Sequence, residues 1–237
     1  MIWRRLALGV AIVAVLLFAL AGPGTRAGIW PFTAGFQMLR WGVYAGIAGV
    51  VLALAALAHG PSRRQGIGVP LLALVLGGVA AGVPFSLLRR ARGLPPIHDI
   101  TTDTADPPQF VAVLPLRANA ANPATYEGDS IAAQQRAAYP DVQPLRLDAA
   151  PAQAFDRALR GARAMGWEIV AADSTQGRIE ATATTRWFGF KDDVVVRIRP
   201  DANGSRVDAR SVSRVGRGDV GTNAARIRAY LARLTSG

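Results

Sequence analysis

The side chains best equipped for chemistry crowd into the last fifth of the chain. Asp192-Asp193 follows Phe188-Gly189-Phe190-Lys191, and a polar run then carries Arg210, Ser211, Ser213, Arg214, Asp219, Asn223 and Arg226. Two adjacent carboxylates with Asp219 as a third are hard oxygen donors, the set that holds a divalent cation and activates water. Neighbours in a strand point to opposite faces, however. Asp192 and Asp193 are therefore expected to diverge, one capping the turn and the other pairing with a cross-strand arginine such as Arg210.

Gly216-Arg217-Gly218-Asp219-Val220-Gly221 matches the spacing of the dinucleotide fingerprint and precedes a helical pattern. That fingerprint works inside a strand–helix–strand unit with an acid about twenty residues on, and no strand pattern follows here, which argues against Rossmann binding. Glycine amides at a helix start, with Arg214 and Arg217 near, are a weaker anion-holding arrangement. Asp219 would oppose an anion and is equally suited to capping the helix. The two histidines, His59 and His98, fall outside this region, and there is no cysteine. A Ser-His-Asp triad would need His98 to fold back, and a thiolate, a disulfide or a Cys-ligated zinc is excluded. No metal and no cofactor is expected.

These residues need elements to position them. Phe155, Ala158, Leu159, Ala162 and Met165 recur at helical spacing between Pro151 and Gly166. Alternation then predicts four strands around Trp167–Ala171, Ile179–Thr184, Val194–Ile198 and Val207–Ser213, with Asn203-Gly204 as a hairpin turn. Ala224, Ile227, Tyr230, Leu231 and Leu234 mark a last helix. The expected fold class is α+β: three transmembrane helices, then a four-stranded antiparallel sheet packed by two helices, helix-grip-like, with its other face toward solvent.

The residues flanking the sheet also carry a resemblance. Phe188-Gly189-Phe190-Lys191-Asp192-Asp193-Val194 and the run from Arg210 to Ile227 resemble the DUF1499 family, a bacterial family of unknown function, over about Leu145 to Leu234 and more faintly over the segment before it. Family members often carry an Asn-Cys-Val-Ser-Ser stretch upstream. Here the corresponding segment reads Asp99-Ile100-Thr101-Thr102-Asp103, without cysteine, so no role of that stretch carries over. The resemblance implies a fold and an envelope setting. Its matching polar positions, Asp192, Asp193, Arg210, Ser211, Ser213, Arg214, Asp219, Asn223 and Arg226, are candidates for a ligand site or for one hydrogen-bonded network that seats the last helix on the sheet.

The first third of the chain is of another kind. Leu6–Ala21, Trp41–Ala58 and Ile67–Leu88 are apolar runs long enough, or nearly so, to span a bilayer. Residues 1–93 hold nine arginines and no acid, so they supply most of the net charge of +11. Such arginines flank membrane segments, and this distribution removes the argument for nucleic acid. None of the three runs contains an ionisable residue, which favours an anchor over a conduit. Gly42-x-x-x-Gly46 and Gly78-x-x-x-Gly82 would permit close helix approach. The first run also has the outline of a signal peptide, but Pro23 just after the small residues disfavours cleavage.

Three segments are thus expected: 1–92 as membrane anchor, 93–144 as a polar, Pro-rich linker with a short helix near 129–138 and an edge strand near 110–114, and 145–237 as an α+β domain. The expected setting is the inner (cytoplasmic) membrane, multi-pass, with the C-terminal domain periplasmic. The expected partners are the lipid bilayer and another envelope protein or cell-surface component. The expected function is a non-catalytic binding or scaffold module. The alternatives are an envelope enzyme, such as an oxygen-ligated metal hydrolase using Asp192, Asp193 and Asp219, and a helix-grip pocket for an apolar ligand.

Overall fold

Three helices of the computed structural model are long and apolar enough to cross a membrane: α1 (Ile2–Arg26), α2 (Phe32–Ala58) and α4 (Gly68–Arg92). The short α3 (Gly60–Arg64) joins the last two. The structure describes residues 2–236, which divide into one unit of residues 2–93 with 186–189 and a second of 94–185 with 190–236.

Along the three long helices the buried positions are small, apart from Pro70. Among them are Ala7, Ala11 and Ala14 on α1, Gly42, Gly46, Gly49 and Ala53 on α2, and Ala73, Gly77 and Ala80 on α4. The large side chains, among them Leu16, Ile47, Val51 and Val75, are exposed. This is the reverse of a water-soluble bundle and is what lipid demands, because helices in hydrocarbon associate by close backbone packing. Gly46 meets the Gly77 carbonyl so closely that a Cβ on either would lie 2.7 Å from the opposite oxygen. Of the two expected glycine pairs, Gly42 and Gly46 face neighbours, whereas Gly78 and Gly82 have open space and Gly77 makes the contact instead.

Both helices at the first connection are longer than the apolar runs. α1 continues through Gly22-Pro23-Gly24, and the Ala21 carbonyl accepts from Thr25 Oγ1 at 2.9 Å and from Trp30 Nε1 at 3.2 Å. Pro23 has no amide to give the carbonyl one turn earlier, and it falls in the last turn of α1, where only three helical residues follow it. Arg4 Nη1 donates to the Gln65 carbonyl at 2.8 Å, which puts the start of α1 and the α3–α4 connection at one end of the bundle.

The second unit is built on an antiparallel sheet of six strands, not the four expected. They are β1 (Asp99–Thr101), β2 (Leu145–Leu147), β3 (Glu168–Asp173), β4 (Arg178–Thr184), β5 (Lys191–Asp201) and β6 (Gly204–Ser213). The spatial order is β1-β6-β5-β4-β3, and β2 also pairs with β6, near its start. The two additional strands have three residues each, too short for alternation to register. α5 (Asp129–Ala138), α6 (Pro151–Ala164) and α7 (Thr222–Ser236) complete the unit. The segment 110–114 forms no strand; it bends into a 3-10 turn at Leu114–Arg117.

Strand alternation sorts the sheet into two faces. Ile179, Ala181, Val194, Val196, Ile198, Val207 and Ala209 join Phe155, Ala158, Ala162, Ile227, Tyr230 and Leu234 of α6 and α7 in one apolar core. The opposite face is not solvated as expected. Phe110, Val113, Val195 and Val212 form a smaller core there, under the irregular chain between β1 and α5. Glu180 and Thr182, on this face that was expected to meet solvent, are buried.

Candidate functional site

The nine family positions lie on and beside β5 and β6, and the register divides them between the two faces. On the helix face Asp192 meets α7: Arg226 Nη2 donates to Asp192 Oδ2 at 2.5 Å. Arg226 also donates to Ser211 Oγ at 3.0 Å and to Asn223 Oδ1. Ser211 Oγ donates to Asn223 Oδ1 at 2.8 Å, while Asn223 Nδ2 donates to Ser213 Oγ at 3.0 Å and to the His98 carbonyl at 2.9 Å. Asn223 is the hub: one fully buried amide ties α7 to β6 and to the residue preceding β1. Asp219 stands before α7 and caps it, accepting from the Gly221 and Asn223 amides at 2.9 and 2.6 Å. Burial pushes the Asp219 carboxyl above its ordinary value, outweighing those two amide bonds.

On the other face Asp193 is fully buried among three donors. Arg117 Nη1 reaches its Oδ2 at 2.6 Å, Arg214 binds both oxygens at 2.8 and 2.9 Å, and Thr182 Oγ1 donates at 2.7 Å. Burial alone would raise this carboxyl, but the Arg214, Thr182 and Arg117 bonds together hold it below the ordinary value. Arg210, also fully buried, does not pair with either acid of the Asp192-Asp193 step. Its partner is Asp99, held by Nε at 3.0 Å and Nη2 at 2.7 Å. Its guanidinium lies 5.1 Å from the Phe110 ring centroid and 5.4 Å from that of Tyr126. Burial and the nearby Asp99 push the Tyr126 phenol up to about 12.

Thus Asp192 and Asp193 diverge as strand geometry requires, while Asp219, near enough to Asp192 to feel its charge, gives its oxygens to the Gly221 and Asn223 amides. Among the described residues no three His, Cys, Asp or Glu side chains gather in a metal-holding group. His98 does fold back against the sheet, but its ring Nε2 faces Glu127 at 3.8 Å. The α7 amides that would cradle an anion, those of Gly221 and Asn223, already serve Asp219. Val220, between Asp219 and Gly221, holds φ +55, a costly conformation for a β-branched residue, and is exposed.

Several partners in this arrangement, among them Glu180, Arg117 and Asp208, carry no motif. Glu180 accepts from the Val111 amide at 3.0 Å and from the Val113 amide at 3.0 Å, and pairs with Arg178 at 3.1 Å. Arg210 donates to the Pro108 and Ala124 carbonyls, and Arg117 to those of Asn122, Pro123 and Val212. Asp208 and Asp103 share Arg197, Arg199 and Arg206. The available signal was joint: a long Pro-rich segment without periodicity beside strands whose second face alternates Glu, Thr, Asp and Arg. Where this wrapping chain crosses β4 and β5 it leaves an open groove of about 180 Å3, lined by Pro108, Gln109, Val111, Gln176, Arg178 and Arg197. Val111, Leu114 and Leu116 are exposed on the same stretch.

No curated protein matches this chain. The sequence pattern of DUF1499, described as a protein of unknown function, matches residues 99–234. That span begins at β1, includes the wrapping segment and all six strands, and ends within α7. With its Asn223 hub, its Asp193 cluster and its buried Asp99–Arg210 pair all inside that match, the chain belongs to the DUF1499 family.

Proposed function

We propose that this protein is a membrane-anchored, non-catalytic binding or scaffold module of the cell envelope, with its C-terminal domain on the periplasmic side of the inner membrane. The observation that carries the reading is that all nine polar family positions are engaged with partners inside the domain. A metal hydrolase would need Asp192, Asp193 and Asp219 to converge on one cation, and the register sends the first two to opposite faces. An apolar helix-grip ligand would need room between helices and sheet, where Phe155, Trp167, Ile227 and Tyr230 are packed. What is left to a partner is the groove beside Val111 and the exposed Leu114 and Leu116, and the partner that fits is another envelope protein or a cell-surface component.

The orientation rests on Arg4 and Arg5 at the start of the first span, which hold that end in the cytoplasm. Three crossings then carry the chain to the other side. The test is a C-terminal alkaline phosphatase fusion beside a C-terminal GFP fusion. An active phosphatase and a dark GFP are expected; the reverse pair overturns the orientation. For the non-catalytic role, full-length Asp192→Asn and Asp193→Asn proteins are expected to melt several degrees lower. Unchanged melting in both would return these carboxylates to the list of ligand or catalytic groups.

A further inference from the structure

Arg186–Gly189, the turn between β4 and β5, belongs to the helical unit. Its side chains give the reason. The Trp187 ring lies 5.1 Å from that of Phe18 on α1, and the Phe188 ring lies 5.1 Å from that of Phe36 on α2. The two rings of the turn meet edge-on, 5.1 Å apart at 73°. The helices make room by omitting side chains. A Cβ at Gly22 would collide with the Trp187 indole, and one at Gly35 would come within 2.9 Å of the Phe188 ring. Arg26 Nη1 donates to the Arg186 carbonyl at 2.6 Å. Phe188 is buried, Trp187 half-buried and Arg186 exposed.

The depth of this seat follows from helix geometry. Gly22 and Phe18 stand one and two turns before Arg26, where α1 ends, so Trp187 rests about 6–12 Å along the helix from that charge. α4 runs back toward this same end, which places Arg89, Arg90 and Arg92 there with Arg26. An indole one to two turns below a belt of arginines is at the boundary between headgroups and acyl chains, where an amphipathic ring is best accommodated. Trp30, over Gly24 and bonded to the Ala21 carbonyl, occupies the same level.

We propose that the Arg186–Gly189 turn is a membrane-interface wedge: Trp187, seated in the Gly22 notch and backed by Phe188 buried against Gly35, partitions into the headgroup–acyl boundary of one leaflet. The partner is the phospholipid bilayer, and the contact is additional to the three spans. It gives Phe188-Gly189, in the family-like run before Asp192, a role in seating this wedge instead of at a ligand site.

The chain has no cysteine, so a single introduced thiol reports one position. Arg186→Cys in the full chain would carry a nitroxide label in phosphatidylcholine–phosphatidylglycerol vesicles, with Ser174→Cys in the exposed β3–β4 turn as the aqueous reference. The label at 186 is expected to collide with oxygen several-fold more, relative to a water-soluble nickel chelate, than the label at 174. Equal ratios at the two positions overturn the proposal. Adding Trp187→Ser is expected to bring nickel access at 186 up to the reference level, while Trp187→Phe preserves the oxygen preference. An unchanged preference in Trp187→Ser overturns the part assigned to the indole. Circular dichroism of the same vesicles separates loss of the wedge from loss of the sheet, and the Arg186→Cys ratio in the otherwise native chain decides the proposal even if Trp187→Ser fails to fold.

Discussion

The two faces of the sheet are both buried, and they are buried by opposite means. The helix face meets α6 and α7, whose backbone groups are satisfied within each helix, so apolar side chains suffice to fill the space. The other face meets a chain with almost no regular structure between β1 and α5. Such a chain brings amides and carbonyls that no ladder satisfies, and burying them unpaired costs about 1–3 kcal/mol each. The charged side chains of that face supply the missing partners. Glu180 takes the amides of Val111 and Val113, and Arg210 and Arg117 take the carbonyls of Pro108, Ala124, Asn122 and Pro123. A buried charge on this sheet is therefore a substitute for secondary structure in the segment that covers it.

The comparison breaks most readily at Arg210. Arg210→Ala leaves the Asp99 carboxylate buried without its cation and frees two carbonyls, so it should cost about 3–5 kcal/mol in the thermal unfolding of the full chain. Adding Asp99→Leu to an Arg210→Met chain should recover much of that loss, because the uncompensated charge is then gone. If the double variant is no better than the single, the carbonyl bonds and not the ion pair hold the segment. The helix-face counterpart, Ile227→Ala, should cost about 3 kcal/mol through a cavity, with no change in pH dependence.

Asp193→Asn gives a smaller effect with a distinctive pH signature. Its carboxyl titrates lower in the folded chain than in the unfolded one, so its contribution is complete above the unfolded value and fades as pH falls through the folded value. The Asn variant should then be about 1.5–3 kcal/mol less stable at pH 7, with the deficit closing below about pH 4. A deficit that is constant between pH 3 and pH 7 would contradict the ionised cluster. The smallest change is expected at Tyr139, whose buried hydroxyl has no hydrogen-bond partner. Tyr139→Phe keeps the ring beneath Arg228 and should leave the melting temperature unchanged or raise it by the equivalent of up to about 1 kcal/mol. A clear loss there would mean that the hydroxyl is engaged.

Much of the helix face was legible in the sequence because it obeys a period. Phe155, Ala158 and Ala162 recur at helical spacing and Val194, Val196 and Ile198 at strand spacing, and all of them reach the same core. The divergence of Asp192 and Asp193 was legible for the same reason. The wrapped face was not. A residue such as Glu180 looks the same in sequence whether it faces water or the amides of a segment seventy residues upstream, and Arg210 gives no sign that its partner is Asp99 and not an adjacent strand acid.

By itself the sequence determined what repetition and composition can carry: three apolar spans flanked by arginines, a meander of alternating strands between two amphipathic helices, and a motif long enough to indicate the family. Tertiary structure alone decided that β1 and β2 complete a six-stranded sheet, that the Pro-rich segment covers its second face, and that the Trp187 turn belongs with the helices. The physical reason is range. Periodicity reports the side a residue presents, whereas partners such as Asp99 and Arg210, or Gly22 and Trp187, are separated by a hundred residues or more and are chosen by shape and charge only after the chain has closed on itself.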